Sequence, residues 1–344
     1  MTGHTAERAL VVIPCLNEAG HLRDLIERLL DDPAWTDPLL VVADGGSTDG
    51  SRDVVAEIAA QDSRVRLMAN PARLQSAGVN LAAHHFGEGR RWLVRCDAHA
   101  GYPRGYVSSL LDEAWRTDAQ AVAVPMRTIG ATAFERAAAM AQNSALGTGG
   151  SAHRVGAKGH FVDHGHHALI DLDRFIGLGG YDESFSHNED AEFDTRLRRG
   201  GGRIWLTDRT AITYKPRSEA RGLWRQYYMY GRGRARNLLK HRERPRLRQV
   251  LPLAVAPACL GFALSFPLGP LFAWPALIWA VACMSGGAWL AVRHRDPIGF
   301  LAGPVAMLAH AAWSFGFWRQ LLGVAKGAVL RLLPGAPETE AARS

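Results

Sequence analysis

A carboxylate and an imidazole lie close together where a predicted strand ends. The apolar run WLVRCD, residues 92–97, is typical of a buried strand, and His99 follows Asp97 by two residues. Side chains at positions i and i+2 of an extended backbone point to the same side, so the two could face one ion if that geometry continues past the strand. A carboxylate with an imidazole suits Mn²⁺ better than Mg²⁺, which prefers oxygen ligands. For an isolated pair, a loop cap and a surface histidine are the more common explanation.

The elements that must position this pair alternate along the first part of the chain. Residues 1 to about 248 alternate short β-type runs with helical patterns, which predicts a sheet with crossover helices. The predicted strands cover residues 9–14, 39–44, 64–70, 91–97 and 120–126. Ligands of open α/β sheets bind beyond the carboxyl ends of the strands, and these ends carry Asn17, Glu18, Asp44 and Asp97. A nucleotide site is therefore predicted at this edge.

The usual phosphate-binding loops do not occur in the sequence. No G-x-G-x-x-G follows the first strand and no G-x-x-x-x-G-K-[ST] occurs anywhere, which disfavours Rossmann dinucleotide binding and P-loop chemistry. A bound diphosphate would then need a metal ion and basic side chains. The four cysteines show no C-x-x-C spacing, so we expect reduced thiols rather than disulfides or structural zinc. The amino terminus lacks the pattern of a signal peptide.

Positive charge is concentrated directly before the apolar part of the chain. Residues 215–248 hold twelve Lys and Arg against two acidic residues, within a chain of net charge +7. Such a block suits nucleic acid, a phosphorylated substrate or an anionic membrane surface. Long apolar stretches follow at residues 250–274, 275–292 and 299–318, close to the length that a bilayer requires of a helix. This order favours membrane lipid over nucleic acid, and a buried helical hairpin domain is the alternative.

The number of membrane crossings stays open at two to four. An odd number would export the carboxyl end with Arg319, Lys326 and Arg331, against the positive-inside tendency. Four prolines in the first stretch also suit a kinked or re-entrant hairpin. We expect a catalytic domain at residues 1–235, a basic juxtamembrane linker at 236–249, a hydrophobic membrane region at 250–325 and a polar tail at 326–344.

Five ordered segments together resemble the inverting family 2 glycosyltransferases with the GT-A fold. They are VVIPCLNEAGHLRDLIERLL, VVADGGSTDGS, RCDAHAGYP, GGYDESFSHNEDAEFDTRLRRGG and QYYMYGRGR, which lie within residues 9–235. Within the family the sequence looks most like the ExoA-type succinoglycan glucosyltransferases of exopolysaccharide assembly. The resemblance implies an α/β fold whose mixed, mostly parallel sheet has helices on both faces, followed by an α-helical membrane region.

The resemblance assigns a first group of residues to the nucleotide sugar and its metal ion. Pro14, Asn17 and Glu18 would line the nucleotide end of the first strand, Asp44 would bind the uracil or ribose, and Arg73 would lie near the diphosphate. Gly45 stands where most relatives have a second acid, which weakens the base contact. Asp97 matches the first acid of the D-x-D metal motif, and His99 replaces the second. A divalent cation, Mn²⁺ or Mg²⁺, is therefore expected at Asp97 and His99.

The resemblance assigns the acceptor chemistry to the acidic pair in HNEDAEF. Inversion at an anomeric carbon needs in-line attack by a hydroxyl group, and a carboxylate must take its proton. Asp190 is assigned this role and Glu189 contacts the acceptor, with His164 and His166 lining its pocket. Glu192 and Asp194, further along the helix, are expected to be solvated or paired with arginines.

The segment QYYMYGRGR lies where processive relatives carry Q-x-x-R-W. Its different sequence favours a single sugar transfer over polymer synthesis. Gln226, Tyr230 and Arg232 could close over the donor diphosphate or meet a lipid diphosphate acceptor, because arginine forks match phosphate oxygens. An amphipathic helix whose arginines touch anionic lipid is the alternative.

Together these features predict a multi-pass enzyme of the inner (cytoplasmic) membrane with its catalytic domain on the cytoplasmic side. It would move a hexose, glucose by resemblance, from a UDP-sugar to a polyprenyl-diphosphate-linked saccharide. The alternatives are a polysaccharide synthase and a non-catalytic membrane scaffold that has kept the nucleotide-sugar fold. Gly45 and His99 leave the scaffold open, whereas the intact pair of Glu189 and Asp190 counts against it.

Overall fold

An eight-stranded sheet forms the centre of the amino-terminal part of the computed structural model, which describes residues 8–149, 158–245 and 247–331. The strands are β1 Ala9–Cys15, β2 Leu39–Asp44, β3 Val65–Ala69, β4 Trp92–Arg95, β5 Ala121–Val124, β6 Met126–Thr128, β7 His160–Val162, β8 His166–Asp171, β9 Ile204–Leu206 and β10 Ile212–Tyr214. Their order is β3-β2-β1-β4-β8-β5-β9-β7, with β6 and β10 as a separate parallel pair. β1 is parallel to β2 and β4, whereas β8 is antiparallel to β4 and β5. The predicted mixed sheet is confirmed.

Helices cover both faces of the sheet, and further helices form the carboxyl-terminal apolar region. Those described are α1 Ala19–Leu30, α2 Ser51–Gln61, α3 Gln75–Phe86, α4 Tyr106–Thr117, α5 Ala133–Gln142, α6 Ala145–Thr148, α7 Leu172–Gly177, α8 Glu189–Arg199, α9 Ala220–His241, α10 Leu247–Leu253, α11 Val255–Leu268, α12 Trp274–His294 and α13 Gly299–Arg331. Successive residues of a strand point to opposite faces. In β1, Val11 and Ile13 pack in the apolar cluster that contains α1, whereas Leu10 and Val12 pack in the cluster that contains Val79 of α3. The sheet is thus buried on both sides.

One predicted strand ends early in the structure and another is divided. β4 ends at Arg95 rather than at residue 97, because the chain turns and Ala100 N–H donates to the Asp97 carbonyl at 3.2 Å. The extended geometry on which the pairing of Asp97 and His99 depended therefore does not reach His99. The strand predicted at 120–126 is divided into β5 and β6 at Pro125, which has no N–H to donate to a ladder.

The carboxyl-terminal part contains three helical segments that are long and apolar enough to cross a membrane. They cover Gln249–Leu268, Pro270–His294 and Gly299–Val324, close to the three stretches predicted from the sequence. The most apolar part of the third segment is 50% buried in the protein, compared with 17% and 28% for the first two. The basic helix α9 continues through residue 235, so no break in structure marks the predicted start of a linker there.

Glycines allow α9 and α13 to cross in close contact. A Cβ atom at Gly231 would lie 1.9 Å from the Trp313 carbonyl oxygen, and one at Gly316 would lie 2.0 Å from the Tyr228 carbonyl oxygen. Backbone lies against backbone at this crossing, so side chains cannot be accommodated there without separating the helices. Ala235 and Phe317 pack beside it.

We predict that Gly316→Leu destabilises the protein by about 1–3 kcal/mol, as overpacking of a close contact usually does. The matched control is Gly323→Leu on the same helix, where the nearest atom to an added Cβ is 3.8 Å away at Arg319 Nη1. Thermal unfolding of both purified variants in detergent measures the difference. Equal melting temperatures for the two variants would contradict the close crossing.

Candidate functional site

A cavity of about 800 Å³ opens beyond the end of β4, between the sheet and the helices α9 and α13. Its inner wall is polar and comes from four separate segments. These supply Gln75, Arg95, Asp97, His99, His164, His166, Glu189 and Asp190. Its outer wall comes from α9 and the apolar region and includes Arg225, Gln226, Arg234, Ala309, His310 and Trp313. The cavity therefore connects the predicted chemistry with the apolar helices.

Arg95, the last residue of β4, joins the two groups of carboxylates. Its Nη1 donates to Glu189 Oε1 at 3.0 Å and its Nη2 donates to Gln75 Oε1 at 2.9 Å, while Asp97 Oδ1 lies 3.5 Å from Nη2. Arg95 is only 8% exposed. A buried charge of this kind is stable only when it is paired and hydrogen-bonded. Its position thus depends on Asp97 and Glu189, and theirs depends on Arg95.

Asp97 is the carboxylate best placed to meet a cation. Burial raises the pKa of its carboxyl group, but the positive charge of Arg95 and the nearby His166 and His99 lower it by more. The resulting pKa lies below the ordinary value. His166 Nε2 lies 3.7 Å from Asp97 Oδ2, whereas His99 Nδ1 pairs with Glu18 Oε1 at 3.1 Å. One ionised carboxylate with imidazoles beside it suits a transition-metal ion such as Mn²⁺.

The protein supplies only part of a coordination shell. Among the described residues, no three His, Cys, Asp or Glu side chains are grouped so that they could hold a metal ion. An ion at Asp97 would therefore take most of its ligands from substrate oxygens and water, as Mg²⁺ and Mn²⁺ commonly do at phosphate sites. Within those limits the donor set fits a cation that arrives with a diphosphate.

Glu189 and Asp190 open helix α8 beside the cavity. Asn188 precedes them with a positive φ of 63°, and its Nδ2 donates to the Tyr230 carbonyl of α9 at 2.9 Å. Burial raises the pKa of Glu189, although Arg95 opposes the shift. Burial also raises the pKa of Asp190, but His164 and His167 outweigh it, and the pKa lies below the ordinary value. Of the two carboxyl groups, Asp190 therefore loses its proton more readily.

Asp194 forms a buried network that the sequence did not reveal. His164 Nδ1 donates to Asp194 Oδ2 at 2.7 Å, and His167 Nε2 donates to Asp194 Oδ1 at 2.6 Å. Burial would raise the pKa of Asp194, but His167 and His164 lower it to about 2. The prediction that Asp194 is solvated or paired with an arginine was wrong, because residue 194 faces inward. Its spacing of four from Asp190, on the same helix face, could have indicated this.

Glu192 forms the kind of ion pair that was predicted. Its carboxylate accepts from Arg196 Nη2 at 2.5 Å and from Lys240 Nζ at 2.6 Å. The Arg196 pair lies within α8, whereas the Lys240 pair fastens α8 to α9, which forms the outer wall of the cavity. Thus neighbouring acids on one helix have separate tasks: Glu192 binds the helices together, and Asp194 holds the histidines.

The residues predicted for the nucleotide brace one loop, residues 45–48, at the neighbouring strand ends. The Asp44 carboxylate accepts from Gly46 N–H at 2.9 Å, and Asn17 Oδ1 accepts from Thr48 N–H at 2.9 Å. Arg73 Nε donates to the Gly45 carbonyl at 2.8 Å. Pro14 lies in β1 opposite Ala43 of β2. These residues lie together beside the cavity without lining it, and Glu18 connects the two regions through His99.

Of the three residues predicted on α9, Gln226 and Tyr230 line the cavity. Gln226 Nε2 donates to the hydroxyl oxygens of Tyr214 and Tyr230 at 2.7 and 3.1 Å. Arg232 instead approaches Gln320 of α13 at 3.4 Å and is exposed, so the structure does not bring it to the other site residues. Arg217, Arg225 and Arg234 occupy the cavity wall in its place. Helical spacing from Gln226 would have distinguished residues 230 and 234 from residue 232.

Comparisons with known proteins identify the family of the sequence. Residues 10–175 match the sequence profile of Glycosyl transferase family 2. The chain is 51% identical over 318 residues to the succinoglycan biosynthesis protein ExoA of Rhizobium meliloti (strain 1021), which covers 92% of this chain and 96% of that protein.

A solved structure shows the same fold at low sequence identity. It is a mannosyltransferase from Pyrobaculum calidifontis in complex with GDP-Man and Mn²⁺, with a TM-score of 0.57, 17% identity and coverage of 90% of this chain and 88% of that chain. The expected GT-A fold is thereby confirmed. By its sequence match over nearly the whole length of a curated relative, the chain belongs to glycosyltransferase family 2.

Proposed function

We propose that the protein transfers a hexose, with inversion, from a UDP-sugar to a polyprenyl-diphosphate-linked saccharide at the cytoplasmic face of the inner membrane. The observation that carries this proposal is the single cavity that reaches from Asp97 and Asp190 to His310 and Trp313 of the apolar region. The name of the relative from Rhizobium meliloti supports a role in succinoglycan or a similar exopolysaccharide. Glucose is the proposed sugar by the same likeness.

The donor would lie across the strand ends, with its uridine at the loop braced by Asp44 and its diphosphate at Asp97. Glu18 and His99 lie between these two points, paired at 3.1 Å. A divalent cation held by Asp97, with His99 or His166 beside it, would neutralise charge on the leaving diphosphate. Arg95 keeps the Asp97 carboxylate ionised and in place.

Asp190 would act as the general base. Its carboxylate takes the proton of the acceptor hydroxyl while the hydroxyl oxygen forms a bond to the anomeric carbon and the bond to UDP breaks. One in-line displacement of this kind inverts the anomeric configuration. Glu189 is held by Arg95 at 3.0 Å, so it is better suited to orient the acceptor than to accept a proton.

The acceptor would enter from the side of the apolar helices. Arg217, Arg225 and Arg234 line the outer cavity, where guanidinium groups can bind the oxygens of a lipid diphosphate. Gln226 Oε1 is buried without a hydrogen-bond partner in the described structure, and it could accept from a sugar hydroxyl. The lipid chain would leave towards His310 and Trp313 while the sugar reaches Asp190.

We predict that Asp190→Asn lowers turnover by about 10²–10⁴-fold, the usual contribution of a general base. Release of UDP from UDP-glucose, by membranes that contain the protein and a polyprenyl-linked acceptor, measures it. Asp173→Asn, an exposed acid in α7, is the matched control and should keep full activity. No release by the unsubstituted protein with several UDP-sugars and lipid acceptors would contradict the proposed function, and full activity of Asp190→Asn would contradict the role of Asp190.

We predict that His164→Gln shifts the pH dependence of kcat/KM, so that the loss of activity on the acid side occurs at higher pH. His164 helps to lower the pKa of Asp190, and a lowered pKa keeps the base ionised at lower pH. Without the imidazole, the pKa of Asp190 rises and activity is lost sooner as pH falls. His160→Gln, whose imidazole bonds to the Lys158 carbonyl outside the cavity, should leave the limb in place. A limb that does not move in His164→Gln would contradict this electrostatic role.

We predict that Asp97→Asn weakens Mn²⁺ binding by about tenfold or more, because loss of even a supporting partner costs 10–100-fold in metal sites. Electron paramagnetic resonance of free Mn²⁺, titrated with purified protein and UDP, measures affinity independently of turnover. The Asp173→Asn protein again provides the control. Equal affinity in Asp97→Asn and the control would place the cation elsewhere.

A further inference from the structure

The last apolar helix is attached to the catalytic domain along the length that a membrane crossing would need. Asp296, before α13, pairs with Arg136 of α5 at 2.6 Å. Ala302 and Ala306 pack with Ala137 and other residues of α5. Later positions of α13 contact α9, at Gly316 and at Gln320, whose Oε1 lies 3.4 Å from Arg232 Nε. From residue 299 to residue 320 a helix rises about 30 Å, which equals the thickness of the hydrocarbon core.

The helix that runs beside α13 is charged and belongs to the catalytic domain. Lys240 of α9 pairs with Asp182 at 2.6 Å, and Arg236 Nη2 donates to Ser184 Oγ at 2.8 Å. Another face of α9 lines the polar cavity with Arg225 and Arg234. If α13 crossed the bilayer, it would draw these basic groups into hydrocarbon, where Arg and Lys are among the costliest residues.

The first two apolar segments have the opposite character. Phe266 is 91% exposed and Leu271 is 77% exposed at the turn between α11 and α12. Part of the backbone of this turn is paired within the chain: Gly269 N–H donates to the Ser265 carbonyl, Phe272 N–H donates to the Gly269 carbonyl, and Pro270 has no N–H that would need a partner. A turn with paired backbone groups and apolar side chains can enter hydrocarbon, whereas one with open backbone groups cannot.

We infer that α11 and α12 enter the bilayer as a hairpin from the catalytic side and return to it, whereas α13 stays on the catalytic side. The catalytic domain and the end of the third apolar segment then face the same compartment. This arrangement keeps Arg319 and the later basic residues Lys326 and Arg331 on the side of the basic block, as the positive-inside tendency requires. The exposed apolar surface of the hairpin then contacts the lipid bilayer. The inference does not depend on which sugar is transferred or whether transfer occurs.

Cysteine labelling of the full-length protein in spheroplasts tests the inference. Ser63→Cys reports on an exposed turn of the catalytic domain, and Gly323→Cys reports on an exposed position near the end of the third apolar segment. A membrane-impermeant maleimide is added before or after permeabilisation, and the unsubstituted chain gives the background of its four native cysteines. We expect both variants to be protected in intact spheroplasts and labelled after permeabilisation. Labelling from opposite sides would overturn the inference, whereas labelling of both without permeabilisation would support it and contradict the cytoplasmic location proposed above.

A charge test distinguishes the hairpin from the rest of the surface. The double variant Phe266→Asp, Leu271→Asp should raise the fraction of protein released from membranes at least about tenfold, because each acid is strongly disfavoured in hydrocarbon. The matched control is Trp115→Asp, Ile129→Asp, at exposed apolar residues of the catalytic domain, which should leave that fraction unchanged. Unchanged retention of the hairpin variant would overturn the assignment of the hairpin to the bilayer.

Discussion

The buried guanidinium of Arg95 is the constraint around which the site is arranged. It lies at the end of β4, pairs with Glu189 at 3.0 Å and has Asp97 at 3.5 Å, so it joins the strand end that would hold the donor to the helix that would activate the acceptor. A buried charge that loses one partner leaves the rest uncompensated, which is strongly destabilising. The separation between donor and acceptor groups is therefore fixed by an interaction that neither substrate provides.

A second level of organisation follows from this one. Asp194 and its two histidines set the electrostatic surroundings of Asp190 from behind, and Glu192 binds α8 to α9. Helix α9 in turn presents arginines to the cavity on one face and glycine to α13 on another. The apolar region is thus continuous with the wall of the site, so a cavity built on the sheet opens beside helices that are apolar enough to cross a membrane.

The sequence predicted the parts of the structure that depend on local pattern. The first strands and the three apolar stretches follow from periodicity and composition, and the strand end predicted at Asp97 was displaced by only two residues. The acidic pair was identified instead by its resemblance to the family motif, and β7 to β10 were not predicted. What the sequence could not show were contacts between distant positions: Arg95 to Glu189, and Asp194 to His164 and His167. Arg95 looked like an ordinary strand residue because nothing local indicates that its partner lies 94 residues further along the chain. The place of Arg232 was misjudged for a different reason: its helical spacing from Gln226 puts it on another face of α9, a local signal that the prediction did not use.

The anomeric configuration of the product tests the central claim most directly. The protein would be incubated with UDP-α-glucose and a polyprenyl-diphosphate-linked saccharide, and the new linkage would be assigned by the proton coupling constant of its anomeric hydrogen. One displacement assisted by Asp190, with Arg95 holding donor and acceptor groups in place, predicts a β linkage. An α linkage would contradict the account, because it requires either a covalent intermediate or attack from the side of the leaving group, and neither is compatible with a single base opposite the diphosphate.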